Sequence, residues 1–202
     1  MMLWQGERPL ILASQSRARG VLLGNAGLVF EAIPAAIDER ALQRASRLTA
    51  PGAVAALLAR EKAKAVAATH PGRVVLGADQ TLALGTRLFD KPADRGAAHA
   101  QLRALTGRTH ELHAAFAVVS DGEVLAEQVS VARLTMRPLD DDAIAHYLDA
   151  AGAAVTASVG AYQLEGLGVH LFSRIEGDHF TILGLPLLPL LQSLRARGLL
   201  RL

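Results

Sequence analysis

One stretch constrains this chain more than any other: Val74-Val75-Leu76-Gly77-Ala78-Asp79-Gln80-Thr81-Leu82-Ala83-Leu84. Aliphatic and β-branched residues at this density read as a buried strand. A carboxylate inside such a strand is costly to bury unpaired. Asp79 therefore faces a cleft, a metal or a cation, unless Gly77-Ala78-Asp79 is only a strand-end turn. The remaining segments bear on that choice.

The chain has 202 residues, 51% of them hydrophobic. That suffices for one large domain or two lobes sharing a cleft. The formal charge is +2, with acids and bases interspersed and no basic stripe of the kind duplex DNA requires. Aromatics are 4% of the chain, too few for a base-stacking platform, so no polynucleotide partner is expected. The absence of cysteine excludes disulfides, thiol catalysis and thiolate-bound zinc. The start, Met1-Met2-Leu3-Trp4, shows no leader core. The apolar run Leu183 to Leu191 is broken by Gly184, Pro186 and Pro189, so no membrane span and a cytoplasmic location are expected.

Leu10-Ile11-Leu12 reads as a strand, followed by a polar turn and a helix through Val21-Leu22-Leu23. Ser14 or Ser16 can cap that helix. Its free N–H groups, with Arg17 and Arg19, make either an anion site or a capped helix with solvated arginines. Val29 to Ile37 reads as a second strand ending at Asp38-Glu39-Arg40, acids that suit a hard cation or a solvated loop. Thr49-Ala50-Pro51 opens a helix to about Thr69, with Thr49 the cap candidate. Its apolar stripe runs through Val54, Leu57, Leu58, Ala65 and Val66, and the spacing sets Glu61 and Lys62 on the same face. A lysine there either meets an acid or snorkels outward.

After the Asp79 strand, Lys91-Pro92 precedes a helix through Leu102 and Leu105, closed by Gly107. Lys91 by itself is a turn lysine. Thr109 to Val119 and Val124 to Leu134 form a hairpin about Asp121-Gly122. Asp140-Asp141-Asp142 suits the start of a helix to about Ala150. His99, His110, His113 and His146 lack a shared metal-ligand spacing and read as surface or core residues. A Gly-rich irregular stretch covers Ala153 to Gly168. Val169 to Ile175 and His179 to Leu183 read as a further strand pair, and Pro186 to Arg197 as a closing helix.

In order, Leu12-Ala13-Ser14-Gln15-Ser16 with Arg19, Asp38-Glu39, Arg60-Glu61-Lys62-Ala63, Gly77-Ala78-Asp79, Lys91-Pro92, Leu105-Thr106-Gly107-Arg108-Thr109-His110, Gly160-Ala161-Tyr162, Glu165-Gly166 and Gly184-Leu185-Pro186 resemble the Maf family of nucleoside triphosphate pyrophosphatases. The resemblance covers about residues 9–198 of what reads as a single 1–202 domain. It implies an α/β fold of the Maf/ITPase type: a mixed twisted sheet with flanking helices and two lobes around a central cleft. It also implies a homodimer, a divalent cation (Mg2+ or Mn2+), and cleavage of a nucleoside triphosphate between its α and β phosphorus atoms. By the same resemblance Asp79 is the proton acceptor and, with Glu39, a metal ligand; Lys62 belongs to the catalytic set. Ser14, Arg19 and Lys91 surround the phosphates.

Ala18, Gln80 and Glu165 stand at the family positions associated with substrate choice. The 7-methyl-GTP subgroup resembles Trp, Gln and Glu there; the dTTP/UTP subgroup resembles Arg, Thr and Gln. Two of the three match the former. A carboxylate accepts from both donors on the guanine edge, whereas an amide suits thymine or uracil. Ala18 cannot stack on a cationic base as Trp would. Arg17 replaces the usual proline, and Ser158 stands where the dTTP/UTP subgroup often has lysine. The expected substrate is 7-methyl-GTP; the alternatives are dTTP/UTP hydrolysis and a non-catalytic nucleotide sensor.

Overall fold

A computed structural model describes residues 3–202. The leader reading at Met1 and Met2 lies outside the described residues. Among these, seven strands join one sheet: β1 (Leu10–Leu12), β2 (Phe30–Ala32), β3 (Val75–Leu84), β4 (Arg87–Phe89), β5 (Thr109–Ser120), β6 (Glu123–Met136) and β7 (Phe172–Glu176). The order is β2-β1-β3-β5-β6-β7, with β4 also paired to β3. β1 runs parallel to β2 and β3; the other pairs are antiparallel. The α-helices among the described residues are α1 (Arg17–Asn25), α2 (Glu39–Ser46), α3 (Pro51–Ala67), α4 (Arg95–Leu105), α5 (Asp141–Ala151), α6 (His179–Ile182) and α7 (Leu187–Ala196). The mixed α/β expectation holds.

β3 is buried on both faces from Val75 to Asp79, hence its largely apolar character on either side of Asp79-Gln80-Thr81. Alternation sends Val75, Gly77, Asp79 and Thr81 to one face and Leu76, Ala78, Gln80 and Leu82 to the other. α3 covers the first face, packing Ala55, Ala59 and Ala63 on Val75, Ala115 and Ala117. The second face carries two cores. One joins Leu10, Leu76 and Phe116 to Leu190 and Leu194 of α7. The other joins Leu82 and Leu134 to Leu102 and Leu105 of α4 and Ile144 of α5.

One edge of β3 is covered by β5 from Val75 to Ala83. On the opposite edge β1 reaches only Leu76, and β4 begins at Leu82. The segment from Gly77 to Thr81 therefore has no strand beside it there. This gap lies beyond the carboxyl end of β1, where open α/β sheets characteristically leave a crevice.

Several boundaries differ from the sequence reading. The second strand is only Phe30–Ala32, and Asp38-Glu39 do not sit in a loop: Asp38 caps α2, accepting from the Ala41 N–H at 2.9 Å. His179 to Leu183 is not a strand. Asp178 accepts from the Thr181 N–H (2.9 Å) and hydroxyl (3.0 Å), which starts α6 instead, and β7 finds its partner in β6. Val169 belongs to a 3₁₀ turn, Leu167–Leu171. Thr49 caps nothing; Ala50 precedes α3 without a side-chain bond. Glu61 is half-buried beside Arg60, off the inner stripe that Lys62 occupies. The hairpin is as read: Asp121 (φ 47°) and Gly122 (φ 83°) give the left-handed pair a two-residue turn requires.

Candidate active site

The gap in the β3 edge opens into a cleft of about 1220 Å³. Ser14, Ala18, Arg19, Glu39, Lys62, Asp79, Gln80, Lys91 and Glu165 all line it. Residues far apart in sequence, from Ser14 to Glu165, thus reach one space.

Lys62 is the centre of its charged wall. Its ammonium lies 2.6 Å from Asp79 Oδ1 and 2.9 Å from Glu39 Oε1. Lys62 and Asp79 side chains are nearly buried, at 11% and 12% exposure, whereas Glu39 is at 48%. The pairing answers the question posed by a carboxylate in an apolar strand: the cation comes from α3. It also explains Gly77. A Cβ there would lie 2.0 Å from the Ala59 carbonyl oxygen and 2.8 Å from the Ala63 nitrogen. Only glycine lets the α3 backbone come close enough to set Lys62 over Asp79, two residues further along the same face.

Burial pushes the Asp79 carboxyl above its usual range, and Glu39 adds to that; the charges of Lys62 and Arg19 oppose it. Such a carboxylate takes up a proton more readily than a solvated one. Arg19 is buried in α1. Its Nε donates to the Gly184 carbonyl (2.8 Å), and one terminal nitrogen donates to Ser14 Oγ (3.0 Å) and to the Ala78 carbonyl (2.8 Å). The Ala78 carbonyl lies in the stretch of β3 left bare between β1 and β4. Three of the five guanidinium N–H donors are thus spent on holding the gap open and in shape. Burial lowers the Arg19 pKa, against the opposing charges of Asp79 and Glu39. Ser16 caps α1, accepting from the Arg19 N–H, while Ser14 Oγ accepts from the Ser16 N–H at 3.2 Å. Lys91 is exposed at the rim, just before the buried Pro92.

The opposite wall differs. Gln80 donates both amide hydrogens, to the carbonyls of Thr181 and Ile182 at 3.0 Å each. Its Oε1 is the atom left to face Gly184 and the cleft. Glu165 is exposed, with no ion pair among the described residues, near Leu164 and Val159. Ala18 is half-buried at the cleft wall.

Glu39 and Asp79 each set a carboxylate oxygen against the Lys62 ammonium, and carboxylate oxygens are the donors that magnesium or manganese selects. Among the described residues no group of three or more acids and histidines gathers. With two carboxylates and, among the described residues, no third acid or histidine gathered beside them, a hard ion held here would draw most of its ligands from water and substrate phosphates.

Arg17, which with Arg19 belongs to the anion site expected at the α1 start, lines the cleft, and so does Arg40 beside Glu39, a cation the sequence does not mark as a site residue. Arg40 has no local signal, since only the α2 turn brings it to the rim. Tyr162, part of the Gly160-Ala161-Tyr162 motif but not an expected site residue, also lines the cleft.

A family model described as Maf-like protein matches residues 9–197. A nucleoside triphosphate pyrophosphatase of Nitrobacter winogradskyi is 66% identical over 202 residues, covering 100% of both chains. A 7-methyl-GTP pyrophosphatase of Rhizobium etli is 54% identical over 191 residues, 94% of this chain and 96% of that one. The solved structure of a HAM1 protein from Coxiella burnetii aligns with TM-score 0.41 and 19% identity, covering 63% of this chain and 72% of that one.

Proposed function

The chain belongs to the Maf family, and from that premise we propose that it is a nucleoside triphosphate pyrophosphatase acting on 7-methyl-GTP. It hydrolyses the anhydride between the α and β phosphorus atoms, releasing a nucleoside monophosphate and pyrophosphate. The observation that carries this reading is the convergence of Asp79, Glu39 and Lys62, with Arg19 beside them, in one cleft.

Asp79 accepts the proton of the attacking water, a task its raised pKa suits. The water oxygen bonds to the α phosphorus, and the bond to the bridging oxygen breaks with its electron pair leaving on pyrophosphate. Lys62 and Arg19 offset that charge from fixed positions, Lys91 adds charge from the rim, and Ser14 holds a phosphate oxygen. Glu39 and Asp79 would hold the divalent cation, which, when bound, polarises phosphoryl oxygens and lowers the pKa of water.

Glu165 supports the choice of guanine. An ionised carboxylate accepts from N1–H and the exocyclic amine together, and its charge favours a base made cationic at N7. Gln80, whose donors are committed to α6, contributes an acceptor and the position of that wall. We carry over from the family a homodimer and a cytoplasmic location. No helix among the described residues is long and apolar enough to cross a membrane.

The test is a panel of triphosphates with magnesium or manganese. 7-Methyl-GTP should release pyrophosphate faster than dTTP or UTP, and Glu165→Gln should shift the order toward the pyrimidines. A preference for dTTP and UTP in the unaltered protein, or nucleotide binding without turnover, would overturn it.

A further inference from the structure

Behind the wall that carries Glu165 lies a buried aromatic cluster that the reaction does not use. His110, at the start of β5, is 1% exposed, and Tyr162 is 4% exposed. His110 Nε2 and the Tyr162 hydroxyl are 2.7 Å apart. Phe172 closes the cluster, edge-on to Tyr162 at 4.8 Å and tilted to His110 at 5.8 Å between centroids. Among the described residues His110 Nδ1 is buried without a hydrogen-bond partner, so the bond to Tyr162 is the polar contact that fixes this ring. Burial holds the imidazole neutral, with its pKa down at about 4, so one ring nitrogen stays free to accept.

Tyr162 sits in the middle of the cleft wall. Ser158 and Val159 precede it, Leu164 and Glu165 follow it, and all of them line the cleft. The backbone reaches Tyr162 through two left-handed residues, Gly160 (φ 80°) and Ala161 (φ 61°). A non-glycine residue in that conformation is held there by its surroundings. The fastenings are few: Gly160 N–H to Gln101 Oε1 (3.1 Å), Tyr147 hydroxyl to the Ala161 carbonyl (3.2 Å), Ser158 hydroxyl to the Tyr162 carbonyl (2.5 Å), and the His110 bond. Of these, the His110 bond is the one that joins the Tyr162 side chain to the central sheet.

We propose that His110 is a positioning residue for the nucleobase end of the cleft: through the Tyr162 hydroxyl it fixes the wall of residues 158–165 and thereby the place of Glu165. It touches no phosphate-binding group, so its effect separates the two ends of the ligand. The proposal rests on the nucleotide-binding reading of the cleft, not on turnover.

The test uses binding. Dissociation constants are measured by calorimetry for a GTP analogue with a methylene group between its α and β phosphorus atoms, and for inorganic tripolyphosphate. Tyr162→Phe and His110→Leu should each weaken the analogue about tenfold, as expected for losing one buried hydrogen bond. Tripolyphosphate should bind as it does to the unaltered protein. His110→Gln, which can place an amide near the Nε2 position, should restore most of the loss, and combining Tyr162→Phe with His110→Leu should cost no more than either alone. Parallel weakening of both ligands, or unchanged analogue binding in Tyr162→Phe, would overturn the proposal. Because the analogue is not cleaved, a protein that releases no pyrophosphate would sink the enzymatic reading while leaving this comparison intact.

Discussion

Gly77→Ala puts the link between sheet packing and the active site under the sharpest strain. The φ of Gly77 is not in the left-handed region, so alanine costs nothing in backbone conformation, and the effect is steric alone. The added Cβ would lie 2.0 Å from the Ala59 oxygen, against a practical minimum of 3.0 Å. The difference, 3.0 minus 2.0, asks α3 to retreat by about 1 Å. Backbone atoms on a helix cannot swing aside singly, so the whole helix moves or the core opens. Overpacking of this kind costs about 1–3 kcal/mol. The same retreat lifts Lys62 from Asp79, and a misplacement of about 1 Å costs on the order of a hundredfold in rate. Urea denaturation measures the first, and pyrophosphate release the second. Ala63→Gly should not rescue, because the shortest contact is to the Ala59 carbonyl. A Gly77→Ala protein within about 0.5 kcal/mol of the parent and equally active would refute the packing argument.

Asp79→Asn should keep the fold and lower kcat by on the order of a hundredfold or more, read as pyrophosphate release. Because burial raises the Asp79 pKa, the rate should fall on acidification while pH is still above the usual carboxylate range; Lys62→Met, which removes an opposing charge, should move that limb higher still. His110 is depressed from 6.5 to about 4, so the unfolded chain binds the extra proton. Stability from this group is present above pH 6.5 and is lost as pH falls through about 4, by up to about 3 kcal/mol. Urea midpoints from pH 7 down to 4.5 should show the slope, and His110→Gln should flatten it. Glu39→Gln should raise the manganese concentration needed for half-maximal rate by about tenfold, and a chelator should abolish turnover in the parent.

The elements that were legible in the sequence are those whose reasons are local. β3 announces itself by its aliphatic run, the Asp121-Gly122 turn by its residue types, and Lys62 by falling on the apolar stripe of α3. The stretch after Gly177 misled because Phe180, Thr181 and Ile182 have strand propensity, while the Asp178 cap that decides for helix is a single residue. The short β2 shows the same limit: apolar residues from Val29 to Ile37 satisfy a strand pattern, but only Phe30–Ala32 finds a partner. The gap in the β3 edge was not readable at all, because it depends on where β1 stops and β4 starts. Arg19 was readable as a cation near an anion site, but its bonds to Gly184 and Ala78 span the fold and leave no trace in sequence spacing.

The most direct test is to hydrolyse 7-methyl-GTP in water enriched in oxygen-18 and weigh the products. Attack at the α phosphorus beside Asp79 predicts the heavy oxygen in the nucleoside monophosphate and unlabelled pyrophosphate. Label in the pyrophosphate, or release of orthophosphate in its place, would contradict it.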